Sequence, residues 1–272
     1  MAGSLSGLLP SGAVLGLDVG YSPTSRTSAA CCLEWSENKA AIRIERFAYS
    51  ESERQRAILN VVKGKPLMAA AFDGPLNSGL EEIGVYRLSE AMLTSGLQAF
   101  VGKPGQSSSP NGKRLNAAAN EAARTALALC DVGPAQHAVA IHQKCIAEAF
   151  PTTFLGVLFR DRPSGAWPKR QKSDIFFELH GVSGVLSHFL DFYLPGRRVV
   201  PEPAKLTNHD DRAGYVCALT ALAVAAGKIT AVGCHDHGWI ILPPRELMGA
   251  WAWDLLEQAA KRRGAACLVE VG

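Results

Sequence analysis

Two apolar runs in the first third of the chain end the same way, on an aspartate closely followed by glycine. Residues 13–18 close in Gly16-Leu17-Asp18-Val19-Gly20, and residues 67–73, Leu-Met-Ala-Ala-Ala-Phe-Asp, run into Gly74-Pro75. Short unbroken apolar runs stopped by turn residues read as buried strands. A carboxylate at the end of a buried strand costs on the order of several kcal/mol unless a cation, a donor network or water at the sheet edge meets it. If the two strands are parallel neighbours, about 4.8 Å apart, Asp18 and Asp73 stand side by side. They then repel unless something positive lies between them. A divalent metal answers both costs, and oxygen-only ligands point to Mg²⁺ or Mn²⁺. The competing reading is that each Asp caps its own turn, as Asp before Gly often does.

The remaining pattern sets the fold class. Residues 29–35 and 41–47 read as two more strands joined by Ser36-Glu37-Asn38, hence antiparallel; residues 51–62 read as a helix and 144–150 as a fifth strand halted at Pro151. Helices are expected near 86–100, 115–130, 173–193, 209–226 and 246–263, with a hairpin at 231–242. Three antiparallel strands followed by strands alternating with helices give an α/β mixed sheet with helices on both faces. No linker divides the 272 residues, which predicts one domain (1–272) with helical insertions at about 77–140 and 160–207.

Composition excludes more than it selects. Hydrophobic residues make up 47% and charged residues 19%, enough for a core and too apolar for disorder. No apolar run is long enough to span a bilayer, and the first residues lack a basic leader, so a cytoplasmic protein without a membrane partner is expected. Seven cysteines without a Cys-x-x-Cys fit a reducing compartment, and the net charge of +3 permits a nucleic-acid partner without requiring one. The loop 102–112 of Gly, Ser, Pro, Lys and Asn reads as the most flexible segment, and a second basic loop covers 160–172. No phosphate loop of the Walker type, metalloprotease helix, nucleophile elbow or dinucleotide fingerprint is present. Cys234-His235-Asp236-His237 holds four metal-ligating residue types, but adjacent positions in a hairpin alternate faces, so it reads as a polar turn.

Gly16-Leu17-Asp18-Val19-Gly20, Phe72-Asp73-Gly74-Pro75-Leu76, Arg87-x-x-Glu90, Glu148-Ala149-Phe150-Pro151, Lys172-Ser173-Asp174 and His209-Asp210-Asp211 occur in this order. The series, over about residues 13–243, resembles the family of predicted nucleases with an RNase H fold known as domain of unknown function four-two-nine. The resemblance implies an RNase H-like sheet with acids from the first strand, the fourth strand and a late helix. Position by position, Asp18 matches the first-strand acid, Asp73 the fourth-strand acid and Glu148 the glutamate before the proline. On its strand Glu148 also reads as a strand-end salt bridge. For the late acid, Thr207 and Asp210 are spaced as a capping box, whereas Asp211 shares a helical face with Gly214 and Ala218, the side able to lie close to the sheet. Asp211 is therefore expected to be the metal ligand. The chain departs from RNase H-like resolvases, which often carry Asp directly before Ala a turn later; here the residues are Arg212-Ala213-Gly214.

These residues lead to a metal-dependent phosphodiesterase, a nuclease, in which Asp18, Asp73 and Asp211 hold two ions, Glu148 assists, and Lys113, Arg114 and Lys172 meet phosphates. Trp167 offers one stacking surface. Gly16-Leu17-Asp18-Val19-Gly20 also looks like the first phosphate loop of the actin and sugar-kinase superfamily, which gives a phosphotransferase or ATPase as the second reading. Its only later partner would be Asp131-Val132-Gly133. A non-catalytic nucleic-acid-binding scaffold is the third. Ser173 and Asp174 read as a helix start, and Arg87 with Glu90 as a pair on one helical turn.

Overall fold

The computed structural model describes residues 8–102, 104–163, 167 and 172–272. Along the chain come β1 (Gly12–Asp18), β2 (Ser28–Trp35), β3 (Lys39–Phe47), α1 (Glu51–Val62), β4 (Ala69–Asp73), α2 (Leu88–Gly96), α3 (Gln98–Val101), α4 (Pro110–Leu129) and β5 (Ile146–Ala149). They are followed by α5 (Pro151–Val157), α6 (Lys172–Val182), α7 (Val185–Tyr193), β6 (Arg198–Val200), α8 (His209–Ala225), β7 (Ile229–Cys234), β8 (Gly238–Leu242), α9 (Ala250–Arg263) and β9 (Leu268–Val271).

All of these strands join one mixed sheet in the order β6-β3-β2-β1-β4-β5-β8-β7-β9. β1, β2 and β3 are antiparallel neighbours, whereas β1, β4, β5 and β8 run parallel. Strands of the parallel part are apolar throughout because helices cover both of their faces. One face carries α8, which crosses β1, β2, β4 and β5; the other carries α1 against β2 and β3, and α4 against β4. Helix α8 is buried at every residue from Arg212 to Val224, since α5, α6 and α7 pack against its outer side. A helix buried all round needs no polar stripe.

Close approach of α8 depends on two glycines. A Cβ on Gly16 would collide with the backbone of Gly214 and Ala218, and one on Gly214 would press within 3.2 Å of Ala29. That docking fixes both the height and the rotation of α8 above the ends of β1 and β2.

Several elements differ from the expectation. The helix expected at 173–193 is two, broken where Gly184 adopts a left-handed φ of 77°. The expected helix 86–100 divides into α2 and α3. Pro151 does not only stop a strand: it is the first residue of α5, where its missing N–H is no loss. Helix α4 begins at Pro110 rather than 115, because the Ser109 side chain accepts from Gly112 N and caps it. Strands β6 and β9 had no sequence signal beyond a few apolar residues. The second insertion thus supplies an edge strand, with β6 parallel to β3. Residues 235–237 form the turn of the expected hairpin, from β7 to β8. Among the described residues no helix is long and apolar enough to cross a membrane.

Candidate metal centre

Asp18 and Asp73 are register partners at the carboxyl ends of two adjacent parallel strands. In-register neighbours project to the same side of a sheet, and Gly16, two residues before Asp18, faces α8. Both carboxylates therefore stand on the α8 face, fifty-five positions apart in sequence and one strand spacing apart in space. Burial, then the charge of Asp73, then that of Asp210 push the Asp18 carboxyl well above its ordinary range. Burial and next the charge of Glu148 push Asp73 up to about 7, against a small opposing pull from His209. Both shifts favour the uncharged forms, and a counterion between the two carboxylates would relieve their burial and repulsion.

Of the two late acids at the start of α8, Asp210 is the one whose charge bears on Asp18. Asn208 is the N-cap of α8, its side chain accepting from the backbone N–H groups of Asp210 at 2.9 Å and Asp211 at 3.2 Å. Asp210 is thus released from the capping duty that its spacing from Thr207 suggested. It sits on the stripe of α8 that leads, two turns on, to Cys217, a thiol raised by burial and then by Asp73 and Asp18. Asp211 lies on the stripe of Gly214, over β2, and turns outward to Arg46 of β3 at 3.7 Å. Burial raises both carboxyls, while Arg46 pulls each of them down. Asp211, the acid expected to serve the metal, is thus the one paired with Arg46, and Asp210 is the one whose charge reaches Asp18.

Glu148 also moves from the expected role. It is the register partner of Phe72, one residue before Asp73, so it points to the opposite face. There both its oxygens are held at 2.6 Å by the two terminal nitrogens of Arg87, and one accepts from Leu76 N at 3.0 Å. Arg87 is 1% exposed and also donates to Glu90 Oε1 at 2.9 Å and Ser107 Oγ at 3.1 Å. The Ser107 hydroxyl donates in turn to Glu90. The strand-end salt bridge is therefore the reading realised, enlarged into a buried four-residue clamp. It fastens the segment after β4, the start of α2 and the loop before α4 at one point. Ser107 is fully buried. Pro104, Gly105, Ser107 and Gly112 of that loop line a cavity of about 60 Å³ with Asp73 and Glu148.

The expected phosphate contacts scatter. Lys113 lies alongside Gly84, Arg114 is exposed on the first turn of α4, and Lys172 Nζ reaches Phe100 O at 3.4 Å. Trp167 is half-buried and makes a T-shaped contact with Phe176. Residues 168–171 of that basic loop lie outside the described residues. Asp174 accepts from Arg212 at 3.3 Å and lies 3.1 Å from His209 Nδ1, joining the starts of α6 and α8. Arg212 is further committed to Glu178 at 2.9 Å and to Leu206 O at 2.8 Å. Asp131-Val132-Gly133 sits by Leu67, before β4, at the end of the sheet opposite Asp18 and Asp73.

Sequence reasoning passed over Arg46. On the α8 face β3 presents Ala40, Ile42, Ile44 and then Arg46, an apolar row closing on a charge. That is the signal Asp18 gave, read with a period of two. Among the described residues no three His, Cys, Asp or Glu side chains are already grouped to hold a metal. Asp18 and Asp73 nonetheless suit a hard cation: two adjacent carboxylates, oxygen donors alone, and among the described residues no cationic side chain bonded to either. No family model, curated protein or solved structure matches the chain.

Proposed function

We propose that the protein is a metal-dependent phosphodiesterase acting on nucleic acid, with an RNase H-like core formed by β3-β2-β1-β4-β5. The observation that carries the reading is the register of Asp18 with Asp73 at the carboxyl ends of adjacent parallel strands, with Asp210 of α8 close enough to raise Asp18. Three antiparallel strands continued by parallel ones, with acids from the first strand, the fourth strand and a late helix, are what the family resemblance implies.

Asp18, Asp73 and Asp210 would hold Mg²⁺ or Mn²⁺. A pair of such ions supplies an activated water and charge neutralisation at the leaving oxygen of an in-line displacement. The chain's own contribution is preorganisation. Docking of α8 on Gly16 sets Asp210 against Asp18, and the Arg87–Glu148 clamp anchors Leu76, three residues past Asp73, so that the strand end cannot drift. His209, beside Asp174, pulls the Asp73 carboxyl down against its burial. Glu148 acts in this scheme as a support rather than a ligand, because its oxygens are already committed to Arg87.

Calorimetric titration with Mn²⁺ tests the metal, and cleavage of labelled DNA and RNA in Mg²⁺ or Mn²⁺ tests the reaction. Wild type should bind and cut; Asp18→Asn should do neither while keeping its circular dichroism spectrum. Metal binding without cleavage of either nucleic acid would leave the scaffold reading in place. The phosphotransferase reading lacks its second phosphate loop, since Asp131-Val132-Gly133 stands at the far end of the sheet.

A further inference from the structure

We propose that Arg46 is the arm by which this site grips the phosphodiester backbone of its substrate, with Asp211 as its resting partner. The inference rests on the reading of Asp18 and Asp73 as the reaction centre.

Register places the residue. Arg46 pairs with Ala29, Ala29 with Asp18 and Asp18 with Asp73, so the four form one row across the sheet. All four face α8, and Arg46 stands two strands from Asp18, about 10 Å along the sheet. Gly214, in the second turn of α8, lies over the row at Ala29; in the turn before it, the charge of Asp210 bears on Asp18 and Asp211 pairs with Arg46. From that distance the guanidinium reaches a phosphate next to the scissile one rather than the scissile group itself.

Bonding separates Arg46 from the structural arginines. Arg87 and Arg212 are 1% and 10% exposed in their side chains, and are fixed by three and two bonds shorter than 3.0 Å, respectively. Arg43 is held by Val61 O at 2.6 Å and Glu34 at 2.7 Å. Arg46 is 43% exposed; its ion pair with Asp211 spans 3.7 Å, beyond hydrogen-bond length, and its charge also pulls on the Asp210 carboxyl. A pair so long and so exposed contributes little to stability. It leaves the whole guanidinium fork free for an anion of matching geometry, and a phosphate diester is such an anion. Asp211 holds the arginine near the site and gives way when a phosphate arrives.

The test is anisotropy of a short fluorescein-labelled single-stranded oligonucleotide, DNA and RNA in turn, titrated with full-length protein in Ca²⁺ across a range of salt. Arg46→Ala should weaken binding roughly tenfold at low salt, the loss of one charge-assisted contact. The slope of log K against log salt should fall by about 0.7, the value for one single-strand phosphate contact. Asp211→Asn should tighten oligonucleotide binding, a direction that a folding defect does not produce. If the wild type binds but Arg46→Ala keeps its salt slope, or Asp211→Asn weakens binding, the assignment of Arg46 is wrong and the metal centre stands. If the wild type binds neither Mn²⁺ nor oligonucleotide, the reading of the centre itself has failed.

Discussion

A carboxyl raised in the folded state works against folding wherever it must ionise. Asp73 is pushed up to about 7 and Asp18 well above its usual value, chiefly by burial. A raised folded value means that their stabilising contribution is full below the unfolded value near 4 and is lost as pH climbs through the folded one. The metal-free protein should therefore melt at a higher temperature at pH 5 than at pH 8. Saturating Mn²⁺ should raise the pH 8 melting temperature and shrink the difference, by mass action on the folded state. Thermal melts at the two pH values, with chelator and with Mn²⁺, check this; a melting temperature that rises from pH 5 to pH 8 without metal counts against the paired-carboxylate account. At the same scale, Asp210→Asn should weaken Mn²⁺ binding in calorimetry more than Asp211→Asn does. The two residues are adjacent in sequence, yet one adds to the field on Asp18 and the other bridges to Arg46.

Elements hold these residues through a few specific contacts. Asn208 caps α8 with two backbone bonds, so Asn208→Ala should cost about 1 kcal/mol in a denaturant titration. The clamp is a different matter. Removing Arg87 leaves Glu148 and Glu90, 3% and 0% exposed, without their cation. Arg87→Ala should then cost about 3–5 kcal/mol, the usual penalty for breaking a buried pair from one side. Gly16→Val should destabilise by about 1–3 kcal/mol or more, since any Cβ there meets the backbone of α8 rather than a yielding side chain. It should also reduce Mn²⁺ affinity, because the docking of α8 brings Asp210 to Asp18.

For the whole molecule, the sheet sets a gradient of protection. β1 and β4 lie between paired strands under helices on both faces, while β6 and β9 are its edges. Hydrogen exchange should be slowest in β1, β2 and β4 and fastest in β6 and β9, as expected where an edge strand pairs on one side only. Equal protection across the sheet would show that its edges are covered by contacts beyond this chain's own fold.

What the sequence determined by itself was local. Apolar runs stopped by Gly and Pro located β1 to β4, the hairpin of β7 and β8, and most of the helices, because burial and turn chemistry act on neighbouring residues. It also marked Asp18 and Asp73, since a charge closing an apolar strand is visible without knowing the strand's neighbours. Three matters needed the tertiary structure. Whether two strand-end acids meet depends on β4 pairing parallel to β1 in a register that no local pattern encodes. Which side Glu148 faces depends on the parity of that pairing in β5: one residue out of step with Asp73, it meets Arg87 on the opposite face. Which of Asp210 and Asp211 approaches Asp18 depends on the rotation of α8, set where Gly214 and Ala218 press against Ala29 and Gly16. The short strands β6 and β9 escaped notice for the same reason, because a three- or four-residue edge strand is made by the partner it pairs with and not by its own residues.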